Sequence, residues 1–445
     1  MGREDEIIKE RLRKLKYLKT SGINPYPHKF DKRQNTEQCL KAKVGSKVKT
    51  AGRLMTKRDI GKIAFCDLQD KVGKIQIVLQ KDETPEKVFG FFKKYVDSGD
   101  YVGVEGKIIK TKTKQLSILV NKFEMLSKSI KPLPEKWHGL QDKEDRYRKR
   151  YLDLIMNPGV KKTFEKRAKI IQALRDYLIK KEFVEVQTPT LQSIYGGALA
   201  KPFKTYYNAY NKDVYLRIAP ELYLKRLIVG NFEKVFEFAK CFRNEGADWS
   251  HNPEFTLLEF YQAYIDYNDL MKITEDLIID VVKNINGKPE IVRGNKKIKL
   301  KKPFKKITFD KLTKGKMTDE IFKEEAKKLK EPTFVINHPI EMSPLAKEKD
   351  NKTVQRFQLI IDGVEIVNAF SELNNPEEQE KRFREQQKLK SEEKHTFDKD
   401  FVEALQYGMP PTAGWGMGVD RFVMLLTNSN SLREIMLFPF MKPEK

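Results

Sequence analysis

From Glu4 to Thr20 the apolar side chains Ile8, Leu12, Leu15 and Leu18 recur among charged ones at helical spacing, and Ser21-Gly22 followed by Pro25 and Pro27 ends the pattern. The period then changes. Residues 48 to 126 hold five strand-like runs: Val48 to Leu54, Ile63 to Leu68, Lys74 to Leu79, Tyr101 to Ile109 and Leu116 to Phe123, with a helix-like stretch from Pro85 to Val96 after the third. Five short strands with a helix in that position, and Gly52, Gly73, Gly103 and Gly106 where a small barrel must bend, predict an OB-fold. Residues 1–45 then read as a helix and lead-in, and 46–130 as the barrel.

Lys131 to Arg150 breaks the alternation with Pro132, Pro134 and a dense run of charge, and reads as a linker. Residues 151–445 read as one large unit of helices and strands. It opens with a helix from Lys161 to Lys181, whose expected apolar face is Phe164, Ala168, Ile171, Leu174 and Leu178, followed by a strand from Glu182 to Pro189. Further on, Val235 to Ala239 and Phe255 to Phe260 are β-forming runs around a polar turn, predicting strand, loop, strand. Lys296 to Lys302 alternates lysine with apolar residues as an exposed edge strand does; contact with an RNA backbone is the alternative reading.

Composition narrows the field. A chain of 445 residues supports two or three cores. No apolar run approaches a membrane span, and Met1 to Glu6 carries acids rather than a signal-peptide pattern, so a cytoplasmic location is expected. Cys39, Cys66 and Cys241 lack paired spacing, which argues against a disulfide framework or a zinc site. Against 63 acidic residues stand 87 basic ones, a formal charge of +24, so a polyanion such as nucleic acid is the expected partner; a generally lysine-rich surface is the plainer alternative.

The turn between the two β-runs concentrates chemistry. Phe242-Arg243-Asn244-Glu245-Gly246 and His251-Asn252-Pro253-Glu254-Phe255 place a cation, acids, an imidazole and an aromatic ring on one hairpin. A guanidinium fixed at a strand end suits bidentate recognition of phosphate or carboxylate, and an aromatic ring on the returning strand can stack on a base. The chain has no Walker A loop and no Gly-x-Gly-x-x-Gly after a strand, so this nucleotide chemistry must work without a phosphate loop.

The hairpin resembles motif 2 of the class II aminoacyl-tRNA synthetases, Gly414-Trp415-Gly416-Met417-Gly418-Val419-Asp420-Arg421 resembles motif 3, and the helix, strand and proline from 161 to 189 resemble motif 1. The His-Ile-Gly-His signature of the other synthetase class is missing. The segments Ala219 to Arg226, Glu259 with Tyr261, and Asn368 to Leu373 are similar to those of class II lysyl-tRNA synthetases, a resemblance running from about Ala51 to Pro439. It implies an α+β fold: an antiparallel catalytic sheet surrounded by helices, with an N-terminal OB barrel that binds the anticodon. It also implies a homodimer that activates L-lysine with ATP and transfers it to the 3′ end of tRNA(Lys).

Residue by residue, the resemblance assigns Arg243 and Arg421 as catalytic cations. Gly197 and Glu221 would hold the α-amino group of lysine, Arg243 and Asn368 its carboxylate, and Glu259, Tyr261 and Glu372 its ε-ammonium. Buried acids are the chemically appropriate partners for an ammonium. For Glu221 a helix-start role, and for Tyr261 a place in the core, are the alternatives. Arg243, Glu245, His251, Phe255, Glu365 and Arg421 would bind ATP, with Gly414, Gly416 and Gly418 allowing close approach. Relatives carry two glutamates for magnesium; here Glu365 keeps one and Gln358 replaces the other, a weaker oxygen donor. On the barrel, Phe65 and Gln76, with Arg53 and Arg58 nearby, would recognise the anticodon; for Phe65 the barrel core is the other reading.

Overall fold

The computed structural model describes residues 2–134, 140, 142–246, 248–249, 251–316, 318–388 and 397–444, which divide into two units at Gly139/Leu140. In the first, helix α1 (Arg3–Thr20) precedes strands β1 (Lys47–Ile60), β2 (Ile63–Gln69) and β3 (Lys74–Gln80), helix α2 (Glu86–Tyr95), and strands β4 (Tyr101–Lys110) and β5 (Leu116–Ser127). The strands close a barrel in the order β1-β2-β3-β5-β4, with β3 and β5 parallel. This is the OB-fold that the alternation predicts. Leu54, Ala64, Cys66, Leu68, Ile77 and Leu79 point inward, and α2 plugs the barrel with Phe89 and Phe92.

The glycines divide by role. A side chain on Gly52, Gly103 or Gly106 would collide with the Gln69 carbonyl, the Phe30 ring or the Leu119 carbonyl, whereas Gly73 sits in a turn with ordinary room around it. Close approach of backbone at Gly52 and Gly106, and of an aromatic ring at Gly103, therefore demands three of the four expected glycines.

In the second unit, α3 (Pro158–Lys180) leads into a short strand β6 (Val184–Glu185). The strand expected over 182–189 shrinks to this pair because Phe183 turns into the core and only Val184 and Glu185 pair in parallel with the next strand. The buried stripe of α3 is Ile170, Ala173, Leu174 and Leu178, while Ala168 is exposed. Leu174 and Leu178 keep the expected face, Ile171 packs partly buried beside it, and the contact side gains Ile170 and Ala173. The charged end of the segment read as a linker is helical from Lys143 to Arg148 and packs within this unit, with Arg146 and Arg150 both paired to Asp153.

Next come α4 (Glu221–Val229), β7 (Lys234–Phe242), β8 (Glu254–Ala263), α5 (Tyr267–Asn286), β9 (Lys305–Thr308), β10 (Thr333–Ile336), β11 (Arg356–Ile361), β12 (Val364–Ser371), β13 (Thr412–Gly418) and α6 (Val419–Leu426). Among the described residues they form an eight-stranded sheet in the order β9-β10-β11-β12-β13-β8-β7-β6, antiparallel except for the parallel pairs at its two edges. Phe236, Leu258, Phe260, Val367, Trp415 and Met417 face the helices α3, α5 and α6 and make the largest core. Each such side chain fully buried contributes about 1.5–3 kcal/mol. The opposite face of the same strands mixes polar residues with a second apolar cluster that includes Val235, Tyr261 and Ala263. Between α5 and β9, Lys296–Lys299 forms a strand whose Ile298 is buried while its lysines are exposed, the pattern of a solvated edge.

Candidate active site

A period of two along β8 sends Leu258 and Phe260 into the core and Glu259 and Tyr261 to the other face. Pairing then extends that face sideways. Glu237 lies opposite Glu259, Glu259 opposite Gly416, Gly416 opposite Asn368, and Asn368 opposite Gln358, a continuous row across five strands. The adjacent row runs from Tyr261 through Gly414 and Phe370 to Arg356. The residues expected to receive the substrate thus share one sheet face although they are scattered over the sequence. Gly414 is obligatory there, since a side chain would collide with the Glu372 carboxylate and the Tyr261 ring. At Gly416 the nearest atom to an added Cβ is Glu259 Cγ at 3.6 Å, so glycine keeps the floor beside that acid open.

Over this floor three acids are gathered and buried: Glu221 at the start of α4, Glu259 on β8, and Glu372 just past β12. Lys225, one helical turn after Glu221 and wholly buried, donates to Glu221 Oε1 at 2.7 Å and forms an ion pair with Glu372 Oε2. Tyr261 donates its hydroxyl to Glu259 Oε2 at 3.2 Å, so its place beside the core and its place in the acid cluster are compatible. Neither Glu372 oxygen has a hydrogen-bond partner among the described residues, the contact of Oε2 with Lys225 being an ion pair. Burial, reinforced by the Glu221 charge, pushes the Glu259 carboxyl up to about 8. Burial likewise raises Glu372 well above the usual carboxylate range against the opposing pull of Lys225. Gly197, with φ +84°, brings its backbone against Glu221, where an added Cβ would lie 2.9 Å from Glu221 Cβ.

The hairpin β7–β8 carries the cationic side of the site. Arg243 N donates to the Pro253 carbonyl at 2.9 Å, holding the base of the loop, and the Arg243 guanidinium lies 5.0 Å from the centre of the Phe255 ring. Its Nε is buried and has no partner among the described residues. His251 Nδ1 sits 3.0 Å from both oxygens of Asp248, its Nε2 is 3.4 Å from an Arg421 nitrogen, and Arg421 reaches to 3.8 Å from Glu365 Oε2. Glu245 is exposed in the loop. Asn368 Oδ1 accepts from Arg356 Nε at 2.8 Å, and Gln358 Oε1 is 2.9 Å from His338 Nε2 in the buried interior.

Several residues that organise the site carry no role in the sequence reading. Asp420 accepts from the Thr256 backbone N–H at 2.7 Å and pairs with Arg167 at 2.6 Å, locking α3, β8 and α6 to one carboxylate. Arg217 pairs with Glu237 at 2.6 Å and donates to the Lys240 carbonyl at 2.7 Å, bracing β7 behind the hairpin. Arg356, Lys225 and His338 complete the set. Only Lys225 offered a local signal, its spacing of four from Glu221 on a helix.

On the barrel unit, Phe65, Asp67 and Gln76 lie outside the β2–β3 pair, since Ala64, Cys66, Ile75 and Ile77 fill the inside. Phe65 is therefore not a barrel-core residue. Arg58 lies directly across from Phe65 and is exposed. Gln76 Oε1 accepts from Ser117 Oγ at 2.9 Å, which leaves its amide –NH2 for another partner. Arg53 is held instead by the Gly99 carbonyl at 2.9 Å and by the Tyr101 ring.

The chain matches two family models: tRNA synthetases class II (D, K and N) over residues 142–442, and OB-fold nucleic acid binding domain over residues 48–126. Lysine–tRNA ligase 2 of Methanosarcina mazei is 45% identical over 98% of this chain and 94% of its own length. The lysine–tRNA ligases of Thermotoga maritima and Thermoanaerobacter pseudethanolicus are 44% and 46% identical, each over 99% of this chain and 97% of theirs. With a matching sheet and relatives of this similarity along the whole length, the chain belongs to the class II tRNA synthetases of the D, K and N group.

Proposed function

We propose that this chain is a lysine–tRNA ligase, which joins L-lysine to ATP as lysyl-adenylate and passes the lysyl group to the 3′ end of tRNA(Lys), releasing pyrophosphate and AMP. The observation that carries the reading is the buried trio Glu221, Glu259 and Glu372 beside an arginine-bearing hairpin. An amino acid with a neutral or acidic tip would leave the Glu259 and Glu372 end of the pocket short of a cation, at a cost of several kcal/mol, whereas two ammonium groups complete the trio.

Glu221, with the backbone at Gly197, receives the α-amino group; Glu259, Tyr261 and Glu372 receive the ε-ammonium. Arg243 and Asn368 hold the carboxylate against the α-phosphorus while Phe255 stacks on adenine, with Glu245 and His251 against the nucleotide. The lysine carboxylate oxygen attacks the α-phosphorus in line and the bond to pyrophosphate breaks. Negative charge grows on phosphoryl oxygens, so the preorganised Arg243 and Arg421 supply the stabilisation and no general base is needed. The terminal ribose hydroxyl of tRNA then displaces AMP.

The residues suit one magnesium ion held mainly by phosphate. Glu365 offers a carboxylate on the site side, partly exposed and 3.8 Å from Arg421, while the Gln358 carbonyl is engaged with His338. One or two carboxylates plus substrate phosphates is the usual magnesium environment. Bound there, the ion would neutralise charge on ATP.

Phe65, Gln76 and Arg58 fit recognition of a splayed anticodon base, with Arg53 a positioning neighbour on the same barrel. Exposed Ile179, Val184, Leu191 and Phe232 around α3 and β6 support a homodimer through the motif 1 region. No helix among the described residues is long and apolar enough to cross a membrane, and work on tRNA in translation suits the cytoplasm.

The test is exchange of pyrophosphate into ATP with each of the twenty amino acids. Stimulation by lysine alone is expected; an equal response to aspartate, or none to lysine, overturns the substrate assignment.

A further inference from the structure

Lys225 is a buried charge that the proposed chemistry does not use. Its ammonium is inaccessible, 2.7 Å from Glu221 Oε1 and in contact with Glu372 Oε2, and its nitrogen lies 5.6 and 5.7 Å from the centres of the Phe370 and Phe401 rings. The two acids it touches belong to different elements and, in the proposed pocket, to different ends of the substrate. The charged or titratable groups around it are Glu221 on its own helix, Glu372 beyond β12, Glu259 and Tyr261 on β8, and Arg356 on β11.

A plain fold staple is the competing reading, and the pairing argues against it. A staple saturates its partners, because a buried acceptor left open costs about 1–3 kcal/mol. Here neither Glu372 oxygen completes a hydrogen bond among the described residues, although Lys225 is in ion-pair contact with Oε2. The lysine reaches one oxygen of each carboxylate, and the Glu372 carboxylate stays unsaturated. Once all three acids are ionised, one resident ammonium leaves two negative charges to be matched, which is the number of ammonium groups on a free lysine molecule.

We propose that Lys225 is a positioning residue that determines specificity: its ammonium pulls Glu221 and Glu372 toward the charged form against burial and holds them together facing the α-amino and ε-ammonium groups, so that the pocket is completed only by a diammonium amino acid. This rests on the lysine reading of the pocket. Without the resident cation, two acids in one buried site would retain a proton, as like charges at close range do. A protonated carboxyl presents a hydrogen-bond donor where an ammonium also donates, so lysine binding would require that proton to leave first.

The experiment compares wild type, Lys225→Met and Lys225→Arg by lysine-dependent pyrophosphate exchange from pH 6 to 9, with KM measured for lysine and ATP separately. Met fills similar volume without charge, and Arg restores the charge. In Lys225→Met the lysine KM at pH 7 is expected to rise roughly 30-fold or more with the ATP KM within about twofold, and the acid limb of kcat/KM for lysine to move up by about one pH unit and steepen. In Lys225→Arg the limb returns to the wild-type position. A limb unmoved in Lys225→Met, with both KM values altered alike, would show a structural staple and overturn the proposal. Should Lys225→Met fail to fold by circular dichroism, Lys225→Arg decides: a limb within about 0.3 units of wild type is expected, and one displaced by about a unit overturns it. Failure of wild type to respond to lysine at all would strike the pocket assignment instead, which keeps the two failures apart.

Discussion

Each unit of this chain buries a lysine between two acids, and the two sites are finished differently. In the barrel unit, Lys128 donates to the Tyr95 carbonyl at 2.9 Å, to Asp97 at 2.5 Å and to Asp100 at 2.8 Å, spending all three of its protons. Asp100 in turn accepts from the backbone N–H groups of Asp97 and Ser129, both at 2.8 Å. In the catalytic unit, Lys225 meets Glu221 and Glu372, yet Glu372 keeps an oxygen without a partner and Glu259 is raised to about 8 by burial. The first arrangement is closed and the second is incomplete. A buried polar network is tolerated either when every member is satisfied or when a ligand will satisfy it, and this contrast separates a structural charge cluster from a receptive one.

The comparison breaks most visibly at Lys128. Lys128→Met removes one partner from a closed network and is expected to destabilise the chain by about 3–5 kcal/mol, seen in thermal or urea unfolding, while lysine-dependent exchange below the new transition stays at wild-type rates. Loss of lysine binding together with stability would erase the distinction between the sites.

Glu372→Gln should act in the opposite sense. It removes charge from the incomplete site, so the lysine KM is expected to rise about 30- to 100-fold, or roughly 2–3 kcal/mol. The ATP KM should stay within about twofold and the melting temperature should hold or rise. An unchanged lysine KM would refute the ammonium role.

The acid raised by burial gives a smaller effect whose sign follows from its direction. With its folded value near 8, Glu259 carries a proton in the empty pocket at neutral pH, and lysine binding expels it. Lysine affinity should therefore increase by up to about tenfold per unit as pH rises from 7 toward 8, then level off until the ammonium groups of lysine itself titrate, the α-ammonium first. For the empty protein the same shift favours folding below the unfolded value of 4.5, and that contribution is lost as pH rises through about 8. Calorimetry in buffers of different ionisation heat measures the released proton directly; binding heats independent of buffer would contradict it.

Gln358→Glu is the mildest test. Because the amide carbonyl is engaged with His338, restoring the acid is expected to change the magnesium requirement of exchange by only a few-fold, about 1 kcal/mol or less. Wild-type activity should still require magnesium, and a magnesium titration that finds activity without it would refute the role given to Glu365.

Legibility from sequence follows the range of the interaction. The barrel strands could be read because alternation of inward and outward residues is local: Ala64, Cys66 and Leu68 face in while Phe65 and Asp67 face out. The same reasoning misjudged Ala168, since a helix with apolar residues on several sides needs its neighbours to choose one. It also overextended the strand at 182–189, where pairing depends on β7. In the candidate site, Arg243, Phe255, Glu259 and Arg421 stood out because motif spacing is itself local. Asp420 could be seen in its motif, but its partners Arg167 and Thr256 are 253 and 164 positions away, a distance that no pattern reveals.

The sequence by itself determined the element order, the barrel, the hairpin and the chemical kinds of group available, because periodicity and turn chemistry act over a few residues. Only the tertiary structure decided which acids share a pocket, which of them has an open oxygen, and that a lysine from the helix of Glu221 sits among them. Those properties arise when strands pair side by side and exclude water, and the resulting burial sets both the charge of Glu259 and the value of each unpaired oxygen to a substrate.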